Sequence, residues 1–258
     1  MSKKIDRTGE INYNKFGSKM IIVKYRGVRD IDIYFPEYNW IAEHTQYYNF
    51  KRGEIKCPYE PSICRVACLG EGKYKTRENG KIHKYYKIWH HMLTRCYDPK
   101  YQEKYPTYKD CKVEDYLLNL QHMAEWINKN YYEIPDERMH LDKDILCKGN
   151  KIYSRDKCIF VPEGINKLFT KCDNARGENP IGVSLTSSGN YQVHCRNAYG
   201  KSVYLGSYLT KEEAFQVYKR YKEKVIKEVI DSYEGKIPEP FYSKLKTAMY
   251  NYEVEIDD

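Results

Sequence analysis

Groups able to do chemistry crowd into one stretch of this 258-residue chain. His140, Asp142, Lys143 and Asp144 stand almost side by side. Asn166 follows beyond the runs Gly149-Asn150-Lys151-Ile152-Tyr153-Ser154 and Cys158-Ile159-Phe160-Val161-Pro162. A second group lies further on, where Gln192, His194 and Arg196 alternate with Tyr191, Val193 and Cys195. A guanidinium can donate two parallel hydrogen bonds to one planar partner, which makes Arg196 the most specific donor of this group. The chain also carries 28 tyrosines, rings that can stack on bases or reach phosphates, or simply build half-buried sheets. Its nine cysteines are an odd number without a secretion signal, which makes reduced thiols the default. Cys64-x-x-x-Cys68 lacks a partner pair at zinc-knuckle spacing. A zinc site from Cys96, Cys111, Cys147 and Cys158 is the rarer alternative to buried thiols.

The elements that must position these groups predict an α+β protein in three parts. Residues 1–75 read as a small β-rich domain. Within it, 19–35 form two strands joined at Arg26-Gly27, with Ile31, Ile33 and Phe35 alternating against Asp30, Asp32 and Tyr34. The stretch KTRENGKIH reads as a turn or linker. Residues 76–172 hold two amphipathic helices, 85–97 and 114–131, then strands around 139–146 and 151–161 and a helix after Pro162. Residues 173–258 carry three strand-like runs, IGVSL, NYQVHCR and SVYLGSY, with turn residues between them. A helix opens at Thr210, whose spacing to Glu213 is a capping box, and a helical brace closes the chain. Ala214, Val217, Tyr218, Tyr221 and Val225 form the stripe expected to pack on the sheet.

Of the formal charge of +8, the first 172 residues carry +9 and the last part −1. Lys15, Lys19, Lys24, Arg26 and Arg29 could track phosphates, or form a solvated face. Mean hydropathy is −0.82, with no apolar run of membrane-spanning length and no apolar leader, so a cytoplasmic chain without membrane partners is expected.

Across residues 85–170 the order of motifs resembles the HNH nucleases of the phage homing-endonuclease type. It begins with Trp89, Met92, Arg95, Cys96 and Tyr97, continues through Tyr105-Pro106-Thr107-Tyr108 and Trp126, and ends in the ββα unit. The resemblance implies one Mg²⁺ or Mn²⁺ held by Asp142 and Asn166, no organic cofactor, and the cytoplasm of an infected bacterium. Catalytic roles then fall on Asp142, Lys143 and His140, with Arg95 among the DNA contacts. Two positions depart from the family: Lys143 stands where a basic histidine is expected, and Lys157 near the middle asparagine. A protonated lysine cannot take water's proton, although it can contact a phosphate. His140, His90, His91 and Asp144 are alternative sources of the missing function. Loss of cleavage with retained DNA binding is the other outcome. Without a metal, Asp142 and Asp144 are turn or strand-end carboxylates.

Residues 175–230, above all LGSYLTKEEAFQVY, are similar to the plant ethylene-response-factor DNA-binding domain. That similarity implies a sheet entering the major groove of double-stranded DNA, with Gln192, His194, Arg196, Lys201 and Tyr204 as its contacts. Val203 and Leu205 should point under the helix, Ser202 and Tyr204 outward. The functional readings are a DNA-binding protein with metal-dependent nicking, a catalytically inactive DNA-binding regulator, or a factor that binds a host defence protein.

Overall fold

The computed structural model describes residues 5–169 and 179–256. The protein is α+β, with seven α-helices and several small antiparallel sheets among the described residues. It divides into two compact units, residues 1–129 and 130–258. This boundary falls inside the stretch 76–172, and the sequence boundary at 172/173 lies outside the described residues. Among them, no helix is long and apolar enough to cross a membrane.

In the first unit β1 (Ile11–Tyr13), β2 (Lys19–Gly27), β3 (Asp30–Phe35) and β4 (Trp40–Thr45) form an antiparallel meander in chain order. Met20, Ile22, Ile31, Ile33, Phe35 and Ala42 are buried with Phe50 of α1 (Tyr47–Lys51). The turn expected at Arg26-Gly27 comes at Val28-Arg29, because two register shifts let β2 run to Gly27. The stretch read as a linker is a hairpin. Strands β5 (Arg77–Glu78) and β6 (Lys81–Ile82) close on Asn79-Gly80, whose φ values of 48° and 76° suit a two-residue turn.

Helix α2 (Lys84–Tyr97) buries Trp89, Met92, Leu93 and Cys96, and the Trp89 indole donates to the Leu117 carbonyl at 2.8 Å. Helix α3 (Pro99–Lys104) starts at Asp98, whose side chain accepts from the Tyr101 N–H at 3.0 Å. After β7 (Lys112–Val113), the helix expected over 114–131 is split. A 3₁₀ turn, Asp115–Leu118, precedes α4 (Leu120–Asn130). Asn119 between them is extended, and its side-chain oxygen accepts from the Gln121 N–H at 2.9 Å, so the break doubles as a start.

In the second unit β8 (Met139–Asp142) pairs antiparallel with β10 (Ile159–Pro162), and α5 (Glu163–Leu168) packs on both. The connection holds β9 (Ile152–Tyr153). The first strand stops at Asp142 rather than near 146. There the Oδ1 atom accepts the N–H groups of Asp144 at 2.9 Å and Ile145 at 2.7 Å, which turns the chain.

Strands β11 (Val183–Leu185), β12 (Tyr191–Arg196) and β13 (Ser202–Tyr208) form a second meander, covered by α6 (Lys211–Asp231). Thr210 caps α6 by accepting the Glu213 N–H at 3.2 Å. Its buried face holds Ala214, Phe215, Tyr218, Val225, Ile226, Val229 and Ile230, so Phe215 takes the place expected of Val217. Helix α7 (Phe241–Tyr250) packs along α6, where Tyr250 donates to Asp231 at 2.6 Å. Val254 is buried, and its N–H donates to Glu223 at 3.0 Å.

Candidate nucleic-acid interface and metal centre

Alternation along β12 sends Val193 and Cys195 under α6 and leaves His194 and Arg196 exposed, with Gln192 half-buried. On β13 Ser202 and Tyr204 are exposed, and Lys201 is exposed at the head of the strand. Cross-strand pairing lines up Ser184, Gln192 and Ser207, then His194 with Tyr204, then Arg196 with Ser202. A register shift between Val193 and His194 gives β13 one extra residue, Leu205. The open face therefore carries hydroxyls, an amide, an imidazole, a phenol and one guanidinium. Such a set can donate to and accept from base edges and phosphates.

The hairpin turn before β13 adds a residue the sequence did not single out, Tyr199, which is 88% exposed. Asn197 orders this turn by accepting the N–H groups of Tyr199 and Lys201, both at 3.0 Å. An asparagine two residues before a tyrosine in a Gly-closed turn was the available signal. At the other end, Gly182 adopts φ 74°, and a Cβ there would collide with the Tyr218 ring. Glycine lets β11 lie close on α6.

Arg95 belongs to the first unit and is half-buried, its guanidinium 5.7 Å from the centre of the Tyr108 ring. Arg26 is likewise committed: it donates to Asp30 at 2.7 and 2.8 Å and to Asp32 at 2.9 Å, with a second contact to Asp32. His44 Nδ1 lies 3.0 Å from Asp30. Asp30, Asp32 and His44 are the one group of three ligand-type side chains that converges among the described residues, and Arg26 already supplies its positive charge. Lys15 pairs with Glu54 at 2.9 Å, so two of the five cations read as phosphate tracks hold carboxylates instead. Eight of the cysteines are free thiols, and they form no such group; Cys172 lies outside the described residues.

In the ββα unit Asp142 and His140 alternate onto one side of β8, paired with Ile159 and Val161. Burial, and next the facing carboxyl of Asp144, push Asp142 up to about 6. Lys143 is buried, and its ammonium donates to Asp144 Oδ2 at 2.7 Å and to the Asn150 carbonyl at 2.9 Å. The Asn150 amide returns hydrogen bonds to the carbonyls of Lys143 at 2.6 Å and Ile152 at 2.7 Å. Burial raises the nearby Cys158 thiol to about 12, so it stays protonated and unreactive at neutral pH.

Asn166 lies half-buried on α5, in the same small unit as Asp142. His90 and His91 lie on α2 of the first unit. One oxygen of Asp142 is committed to two N–H groups pointing at it, and the Asp144 carboxylate already carries an ammonium. The Lys143 amine is held as a donor, the wrong form for a general base.

Set against protein-family models, curated proteins and solved structures, the chain matches none.

Proposed function

We propose that this is a double-stranded DNA-binding protein related to the phage HNH homing endonucleases, reading DNA with the open face of β11–β13 and no longer cutting it. The observation that carries the reading is the alternation on β12. It packs Val193 and Cys195 against α6 and frees His194 and Arg196 beside Tyr204 and Ser202 on a three-stranded sheet, an element of the kind that other proteins lay in a groove. The positive excess of the first 172 residues supplies non-specific attraction that a near-neutral reading domain lacks. The ββα unit serves as scaffold, because the lysine at its base position is tied into its own loop.

Incubation with supercoiled plasmid and phage DNA, with and without Mg²⁺ or Mn²⁺, tests this on one gel. Retarded, uncut DNA is expected. Metal-dependent conversion to open circle, lost in Asp142→Ala, would restore the nicking reading through Asp142 and Asn166. DNA neither retarded nor cut at low salt would end the nucleic-acid reading and turn attention to a host protein partner.

A further inference from the structure

Hard divalent cations are held by oxygens: carboxylates, carbonyls and water. The loop that follows Asp142 offers such a set, since Asp144 contributes a carboxylate and Asn150 a backbone carbonyl, yet both oxygens converge on the Lys143 ammonium. Lys143 is only 7% exposed. A charge withdrawn this far from water persists only where it is paired and hydrogen-bonded. The amide of Asn150 closes the same loop from the opposite direction, through the carbonyls of Lys143 and Ile152. The positive charge and the geometry that order this loop thus both come from the chain itself.

We infer that the Lys143 ammonium is a resident counter-ion standing in for the divalent metal of an HNH-type unit, so the loop is ordered without metal and binds none. The inference rests on the HNH-type reading of the ββα unit, and not on whether the sheet binds DNA. The first unit uses the same device independently, with the Arg26 guanidinium lying between Asp30 and Asp32. Arg26 neutralises a carboxylate pair, and Lys143 neutralises one carboxylate beside a backbone carbonyl. A tethered cation cannot be stripped by a chelator or exchanged for another ion. Nor can it ionise a bound water, as a catalytic metal would.

The test is thermal unfolding and calorimetric titration of the full chain in EDTA, in millimolar Mg²⁺ and in millimolar Mn²⁺. The wild type is expected to melt at one temperature in all three and to give no binding heat with Mn²⁺. Lys143→Met keeps the side-chain bulk and removes the charge. It is expected to melt lower, or not to fold at all, and where it folds Mn²⁺ should raise its midpoint by several degrees. Lys143→Arg keeps a cation and should remain indifferent to metal. Mn²⁺ binding to the wild type that disappears in Asp144→Asn would overturn the inference. So would a Lys143→Met protein as stable as the wild type and equally indifferent to Mn²⁺.

Discussion

His194 and Tyr204 face each other across β12 and β13, ring centroids 5.3 Å apart, at the step where the ladder shifts by one residue. The pair puts an aromatic patch at the middle of the open face, with Arg196 and Ser202 on one side and Gln192 and Ser207 on the other. Arg196→Ala should weaken binding to a selected duplex by about 1–3 kcal/mol, or roughly five- to 150-fold. Affinity for unrelated duplex should change far less. Fluorescence anisotropy at two salt concentrations separates the two effects. Equal loss on all sequences would reduce Arg196 to a phosphate contact.

Arg95 should behave differently. It is half-buried over the Tyr108 ring, so Arg95→Ala is expected to lower the unfolding midpoint while DNA affinity stays within about twofold. A drop in affinity with an unchanged midpoint would return Arg95 to the binding surface.

Gly182→Ala tests how closely β11 lies on α6. The new methyl group would enter the Tyr218 ring from a backbone at φ 74°, and the cost expected is about 1–3 kcal/mol. Chemical denaturation measures it. Gly182→Ala combined with Tyr218→Leu should recover part of the loss, which a purely conformational penalty would not allow.

Asp142 makes a pH prediction. Its folded carboxyl titrates at about 6 against an ordinary 3.8, so the folded state favours the protonated acid. The stability this gives is complete below about pH 4 and is lost as pH rises through 6. Asp142→Asn keeps an oxygen for the two N–H groups and cannot ionise. It should therefore match or exceed the wild type above pH 7, by on the order of 1–3 kcal/mol, with the difference fading towards pH 4. A variant clearly less stable at pH 7 would mean the charged form is the one the fold favours.

Asp32 carries the opposite sign. Hydrogen bonds from Arg26 hold its carboxyl down at about 2, so the stabilisation is present above pH 4 and is lost as pH falls towards 2. Arg26→Met should melt lower than the wild type at pH 7, and the gap should close in acid. A gap that persists at pH 2 would trace the loss to packing rather than charge.

How much of this was legible in the sequence depends on how local each cause is. The inward Val193 and Cys195 and the outward His194 and Arg196 could be read because one covered face imposes a period of two, and Thr210 marks where the covering helix begins. The extra residue on β13 leaves no such periodic trace. Alternation alone would send Lys143 away from its two acidic neighbours. What aims its ammonium at Asp144 is the turn begun by Asp142 and a carbonyl seven residues further on, at Asn150. Arg26 looked like a free cation for the same reason: Asp32 belongs to the next strand, and only the hairpin register brings it alongside.

The register shift in the C-terminal sheet has a consequence for the protein at high concentration. A bulge steepens the local twist, and the outer strand on the far side, β11, is only three residues long. Neither edge offers the long flat row of amides that a strand from another molecule could extend. The sheet can thus keep one polar face open to a ligand without becoming a template for aggregation.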